Sequence, residues 1–433
     1  MAFSFPAPSA AFKQVRSLTT GTFVAQLIVL ASSPWIARIY TPEEFATYGL
    51  FASLVLVGSI LITGGYEAAI PLPKEESIAT SLLRSVLLLC LVFAVTGTII
   101  VASLRELIDP IWGLLPLAMS LHGAMQGWTQ WTLRVEHIHR QAWSKVTMSA
   151  ALVSTQVLSG RAGFGSYGLI GGYILGRVAS IAIQQNSVKL EPSQRFFSVG
   201  SFIHGFHSHL HALREYRQQP LFVMPSSLLS MGAKEVPVFL IAAWFSQESL
   251  GQYSFAYRIL AAPATLLALS LGAIFTQRAA KRVMESKPLK NWVQRLWFGL
   301  AVGACLPFIG IGFFGQSIFV WVFGEPWAIA GLLSQWLSIM LFLQFVSLPT
   351  SRVLMVIGAA KWQPIASGAD LMVRVLALWV GYTQGGVFGN PGFLGAVQTM
   401  VIAQAFVQFG TMILIWVQVN QYDETIHQDL TTR

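Results

Sequence analysis

Apolar runs of about 20 residues, the length at which a helix just crosses a hydrocarbon core, recur so densely along this chain that they decide its fold class. They fall near 18–38, 46–66, 82–104, 111–132, 141–160, 163–184, 219–245, 252–276, 293–315, 328–352, 364–383 and 393–418. Of 433 residues, 54% are hydrophobic and only 10% charged, whereas a soluble protein carries roughly a quarter charged. The spacing predicts an all-α integral membrane protein of twelve transmembrane helices in two six-helix lobes. The N-terminal lobe is expected at 1–184, a cytoplasmic linker at 185–217 and the C-terminal lobe at 218–433.

Charge placement supports this count. With the N-terminus inside, the cytoplasmic segments hold Lys13, Arg16, Lys74, Arg84, Arg134, Arg140, Lys145, Lys189, Arg195, Arg214, Arg217, Arg278, Lys281, Arg282, Lys287, Lys290, Arg295 and Lys361, and the outer loops only Arg38, Arg105 and Arg161. That is the positive-inside pattern, with both termini cytoplasmic. The net charge of +9 is strung between apolar runs instead of gathered on one face, so nucleic acid is not the expected partner. Cys90 and Cys305 both lie in apolar runs, which supports neither a disulfide framework nor a cysteine metal site. Lys13 and Arg16 precede an apolar stretch without a small-residue cleavage site, and this reads as a retained first span.

The chain also repeats itself. "YTPEEFATYGLFAS" (40–53) returns as "FSQESLGQYSFAYR" (245–258), with Tyr40 on Phe245, Thr41 on Ser246, Glu43 on Glu248, Phe45 on Leu250, Ala46 on Gly251 and Tyr48 on Tyr253 at one constant offset. Six matches in register predict two related halves. "GLIGGYILG" puts Gly168, Gly172 and Gly176 on one helical stripe, suited to close packing in lipid.

Polar residues inside the spans are the candidate functional groups. On the first span Thr19, Thr22, Gln26 and Ser33 project within about one sixth of a turn of each other. The seventh span repeats the device with Ser226, Ser230 and Lys234 at i+4 steps. These stripes either hydrogen-bond neighbouring helices or line a hydrated cavity. Arg177, Lys234, Arg258, Arg352 and Arg374 fall within spans, and each costs about 2.5–3.5 kcal/mol at a helix centre unless compensated. Asp370, one turn before Arg374, can pair with it. Only Glu67, Glu235 and Asp370 are acids at membrane depth, so the interior is expected to be cationic and to suit an anionic cargo. Lys234, Arg374, Arg258 and Arg38 are the candidate ligands, and Glu67, Glu235 and Asp370 the candidate ion-coupling groups. Arg177, Arg258 and Arg352 can alternatively snorkel to headgroups. "HGFHSHLH" (204–211) fits no standard metal-ligand spacing and reads as a solvated basic segment, and His122 reads as a hydrogen-bonded interior residue.

Several stretches together resemble the polysaccharide-exporting, Wzx-type flippases of bacterial inner membranes. They are "GTFVAQLIVLASSPWIARIYTPEEFATYGLF", "GYEAAIPLPK", "GLIGGYILG", "PSSLLSMGAKEVP", "GQYSFAYRILAAPATLL" and "VFGEPWAIAG". The superfamily also holds the lipid II flippase and the multidrug antiporters. The resemblance implies two lobes around a central cavity, alternating access, no cofactor beyond an H⁺ or Na⁺ gradient, and a cargo of oligosaccharide on undecaprenyl diphosphate. It also implies a bacterial cytoplasmic membrane, with membrane lipids, a glycan polymerase and a chain-length regulator as partners. The chain departs from the family where Gly65 replaces an Arg ahead of Tyr66 and Glu67, where Ser230 replaces an Asn, and where Lys234 and Glu235 replace uncharged polar residues. Competing readings are a small-molecule or ion antiporter of the same fold, favoured by a sharper carboxylate site, and a glycan polymerase or ligase. The latter would need a large catalytic outer loop, and the outer loops here are short.

Overall fold

The computed structural model describes residues 8–104, 106–185, 206–359, 361–386 and 392–431. Residues 186–205, most of the expected linker, lie outside the described residues, as do Arg105, Lys189 and Arg195 of the charge argument. Among the described residues, twelve long helices occupy the expected places: α1 Pro8–Ile39, α2 Pro42–Thr63, α3 Glu76–Ser103, α4 Leu115–Arg134, α5 Ile138–Arg161, α6 Ser166–Gln185, α7 Met224–Trp244, α8 Gln247–Met284, α9 Lys290–Phe323, α10 Ala328–Ser351, α11 Trp362–Gln384 and α12 Phe393–Thr431. Nine stretches among the described residues are long and apolar enough to cross a membrane. Only α4, α5 and α8 fall outside them, and these three carry buried polar side chains: Ser120, His122 and Thr132 on α4, Gln141 and Gln156 on α5, and Gln252 on α8. Composition alone therefore gives nine spans where twelve were expected.

The repeated sequence is a helix start. Thr41 caps α2 in a reciprocal box, its backbone N–H donating to Glu44 Oε2 (2.8 Å) and its Oγ1 accepting from the Glu44 N–H (3.4 Å), with Pro42 at the first helical position. In the second copy Ser246 accepts from the Ser249 N–H at 3.1 Å and caps α8.

The chain divides into two compact units, Met1–Tyr40 with Leu50–Met231, and Thr41–Gly49 with Gly232–Arg433. The passage from one to the other falls within α7, and the first turns of α2 group with the second unit. In the first unit, α6 lies on α5 at its glycine stripe: a Cβ on Gly172 would sit 2.7 Å from the Leu152 carbonyl oxygen, and one on Gly176 2.9 Å from that of Met148. Tyr40 Oη donates to the Gln156 carbonyl at 2.6 Å, tying the end of α1 to α5. Ala69, Ile70, Leu82, Leu83, Trp128 and Trp131 form a core that also takes in Ala212 of the short helix Phe206–Glu215.

In the second unit, Phe45, Phe255, Phe319, Phe323 and Trp327 make an aromatic cluster with centroid separations of 4.0–6.2 Å. Both copies of the repeat enter it. A Cβ on Gly251 would overlap the Pro42 carbonyl oxygen, and one on Gly49 would lie 2.6 Å from Ser254 Oγ. The start of α9 is capped from α12: Asp423 accepts from the N–H groups of Leu289 (2.8 Å) and Lys290 (2.9 Å).

Candidate functional site

The second unit gathers charged and polar side chains from four helices. On α11, Asp370 and Arg374 stand one turn apart and form an ion pair, Arg374 Nε donating to Asp370 Oδ2 at 3.1 Å. The arginine side chain is only 3% exposed and the aspartate 17%. From α12, buried Gln404 donates through Nε2 to the Asp370 carbonyl at 3.3 Å. From α8, Tyr253 and Tyr257 stack with centroids 6.0 Å apart. Both rings lie within electrostatic range of Arg374 and of Glu235 on α7, and Tyr257 also of Asp370. Asp370 Oδ1, Arg374 Nη1 and Gln404 Oε1 are buried with no hydrogen-bond partner among the described residues. Such atoms are costly to leave unmade and mark a place where a proton, ion or polar ligand lowers the energy.

This arrangement corrects the expectation of an uncompensated cationic interior. Arg374 has its carboxylate, and the cluster holds two acids, Glu235 and Asp370, against one buried base. Nor are the other expected cations alike. Lys234 is exposed and makes no ion pair with the described residues. It stands one and two turns before Val238 and Ile241, which are both buried, so the side of α7 that packs inward further along opens at Lys234. Arg258 places its guanidinium 4.9 Å from the Tyr48 ring centroid, a cation–π contact. Arg38 is exposed in the last turn of α1.

The polar stripes divide in the same way. Thr22 accepts from Lys145 Nζ on α5 at 2.9 Å, a lysine the charge pattern had assigned to a cytoplasmic segment. Ser33, expected on a hydrated wall, is buried and donates to its own helix at the Leu30 carbonyl, 2.6 Å away. Gln26, Ser226 and Ser230 are half-buried.

In the first unit, α2 ends at Gly64 and Gly65, whose φ of 60° and 74° lie where glycine alone is unstrained. That bend turns the chain into Tyr66–Ala69 and brings the Glu67 carboxylate back to the Thr63 side chain. Glu67 Oε2 has no partner among the described residues. Arg177, for which a headgroup location was one reading, is instead 8% exposed inside the unit. Its Nε donates to His122 Nδ1 at 3.4 Å, its Nη1 to the Tyr173 carbonyl at 3.1 Å, and its guanidinium lies over the Tyr173 ring. His122 must then keep its lone pair on Nδ1. Sequence reasoning missed Tyr253, Tyr257, Gln404 and Lys145 as members of these clusters. Tyr253 had a signal in the repeat, where it aligns with Tyr48.

Comparison with solved structures shows the fold. The inward-facing conformation of a multidrug resistance MATE family transporter of the MOP superfamily superposes with a TM-score of 0.67 at 16% identity, over 93% of this chain and 96% of that one. The lipid II flippase MurJ, in an inward closed conformation, gives 0.66 at 14% identity over 96% and 91%. A MOP superfamily transporter from Pyrococcus furiosus gives 0.61 at 15% over 95% and 96%. This is the fold of the MOP superfamily, an all-helical membrane architecture. The family is narrower: residues 35–330 match the polysaccharide biosynthesis protein model, and the chain belongs to that family. No curated protein matches it.

Proposed function

We propose that the protein is a flippase that carries an oligosaccharide linked to undecaprenyl diphosphate from the cytoplasmic to the outer leaflet of a bacterial cytoplasmic membrane, by alternating access. The family match over residues 35–330 carries this reading, and the fold shared with a lipid II flippase supports it. A diphosphate needs charge-assisted donors. Lys234, exposed and without an ion pair among the described residues, is the first of them, with Arg258 and Arg38 as further cations. Arg374 serves as the counter-charge of the coupling carboxylates and not as a resting cargo ligand. Asp370 and Glu235 are the groups that take up H⁺ or Na⁺. Glu67 is a second candidate in the first unit. The glycan is handed on to a polymerase and its chain-length regulator.

The acid excess around Arg374 favours one second reading, an antiporter for a small cation. Complementation separates the two. In a strain lacking its own flippase, the chain restores surface glycan, Lys234→Ala lowers it several-fold at unchanged protein level, and Lys234→Arg retains most of it. Undiminished export by Lys234→Ala would remove that contact. Proton-driven drug efflux without any glycan export would establish the antiporter instead.

A further inference from the structure

The turn between α8 and α9 is the most basic segment of the second unit. Residues 278–295 hold Arg278, Lys281, Arg282, Lys287, Lys290 and Arg295 against a single acid, Glu285. Glu285 is spent on Lys287 (2.8 Å) and Lys281 (3.8 Å). Arg282 lies over the Trp292 ring and donates to the Pro288 carbonyl at 2.9 Å, and Lys290 lies over Trp416. Asp423, on the neighbouring helix, is occupied in capping α9. Arg295 makes no ion pair with the described residues and is exposed.

Arg295 stands on an open face of α9. Asn291, Gln294, Arg295 and Phe298 line an open depression of about 490 Å³, and their spacing puts all four on one side of α9. That side continues as an apolar track: Phe298, Val302, Leu306, Ile309 and Phe313 are strongly exposed, and a Cβ on Gly299, Gly303 or Gly310 would meet nothing within 4 Å. With 34 residues, α9 is longer than the roughly 20 that cross a hydrocarbon core. Its first turns, carrying Trp292 and Trp297, therefore reach the interface, where tryptophans collect. Two amides and an unpaired guanidinium at headgroup level, above an apolar track at acyl depth, match a phosphodiester with a long chain.

We infer that this face of α9 is a binding site for an anionic phospholipid of the bilayer, its phosphate held by Asn291, Gln294 and Arg295 and its acyl chain laid along Gly299, Gly303 and Gly310. One guanidinium with two amides suits a singly charged phosphodiester better than a diphosphate. The site is separate from the cluster around Arg374 and does not depend on the proposed cargo.

Native mass spectrometry of the purified full-length protein tests it, with phosphatidylglycerol, phosphatidylethanolamine and undecaprenyl diphosphate as probes. Phosphatidylglycerol is retained in preference to phosphatidylethanolamine. Arg295→Ala weakens its retention about fivefold, the share of one basic side chain at an anionic surface, and Arg295→Lys keeps most of it. Arg161→Ala, at the C-terminal end of α5, leaves retention unchanged. Equal retention of the two phospholipids, or an Arg295→Ala protein that binds as the parent does, overturns the site. Undecaprenyl diphosphate displacing phosphatidylglycerol from the parent but not from Arg295→Ala overturns the phospholipid assignment in favour of an isoprenoid lipid.

Discussion

Arg374 and Asp370 hold each other in a nearly dry place, and the consequence of separating them is asymmetric. Asp370→Asn leaves a guanidinium that is 3% exposed without its counter-charge, and breaking a buried pair from one side costs about 3–5 kcal/mol. Removing both charges, as in Asp370→Asn with Arg374→Gln, restores most of that loss, because no orphan charge remains. Thermal unfolding of the three proteins in detergent measures the difference, and additive losses in the double variant would show that the pair is not coupled. Their i,i+4 spacing made this pair legible in the sequence. The local charge balance was not, because Glu235 and the two tyrosines join the cluster from other helices, and convergence across helices leaves no periodic trace. His209 shows the same limit. It read as part of a solvated run, yet it is 4% exposed on the short helix Phe206–Glu215. Burial, aided by Arg84, holds its pKa below the usual histidine value despite an opposing backbone hydrogen bond at Ser81. A histidine kept neutral by folding adds stability above its unfolded value, about 6.5, and that stability is lost as pH falls toward the depressed native value. Hydrogen-exchange protection across 206–215, taken relative to the intrinsic exchange rate at each pH, should therefore fall between pH 7.5 and 5.5, and His209→Gln should flatten the profile.

Helices were readable wherever length and apolarity agree. The expected third span at 82–104 falls, but for its last residue, within the longer helix Glu76–Ser103, and the ninth at 293–315 lies inside Lys290–Phe323. A criterion tuned to hydrocarbon thickness does not register turns that continue into the interface. α4, α5 and α8 expose a second limit, because a polar residue that faces the bundle lowers hydropathy without lying in lipid. On α5, Gln156 is 2% exposed and donates to the Leu169 carbonyl at 3.1 Å, while Ser144 accepts from Gln184 at 3.2 Å. The repeat, by contrast, was visible in full, and only its use was hidden: the two helix starts pack on each other at Gly251 and Gly49. Gly251 is the tighter place. Its Cα faces the Pro42 carbonyl with no room for a Cβ, so Gly251→Val forces α2 and α8 apart. Overpacking of this kind costs about 1–3 kcal/mol. A lowered melting temperature for Gly251→Val, beside a near-normal one for Gly232→Ala, where a Cβ meets nothing within 4 Å, is the expected outcome. Equal stability of the two would mean that the helices do not meet so closely.

Whether nine or twelve helices cross the membrane decides where the chain ends, since an odd number of spans puts the termini on opposite sides. Three helices separate the two counts, and each has a structural reason to look too polar, because it carries polar side chains buried within a unit: Ser120, His122 and Thr132 on α4, Gln141 and Ser149 on α5, and Gln252 and Tyr253 on α8. A bilayer sees the outer surface of a bundle and not its interior. On that ground α4, α5 and α8 are expected to cross, which would keep the basic turn of residues 278–290 inside with the rest of the positive charge. Cysteine accessibility discriminates between the counts. In a Cys90→Ser, Cys305→Ser background, His137→Cys reports the turn between α4 and α5, and Lys287→Cys the turn between α8 and α9. Both are expected to resist a membrane-impermeant maleimide in intact cells and to react after permeabilisation, whereas Ala162→Cys, between α5 and α6, reacts in intact cells. Labelling of His137→Cys from outside would mean that α4 and α5 lie along one face of the membrane. Labelling of Lys287→Cys from outside would take α8 out of the bilayer, move the basic turn to the wrong side of the charge asymmetry, and invert every later helix along with Asp370 and Arg374.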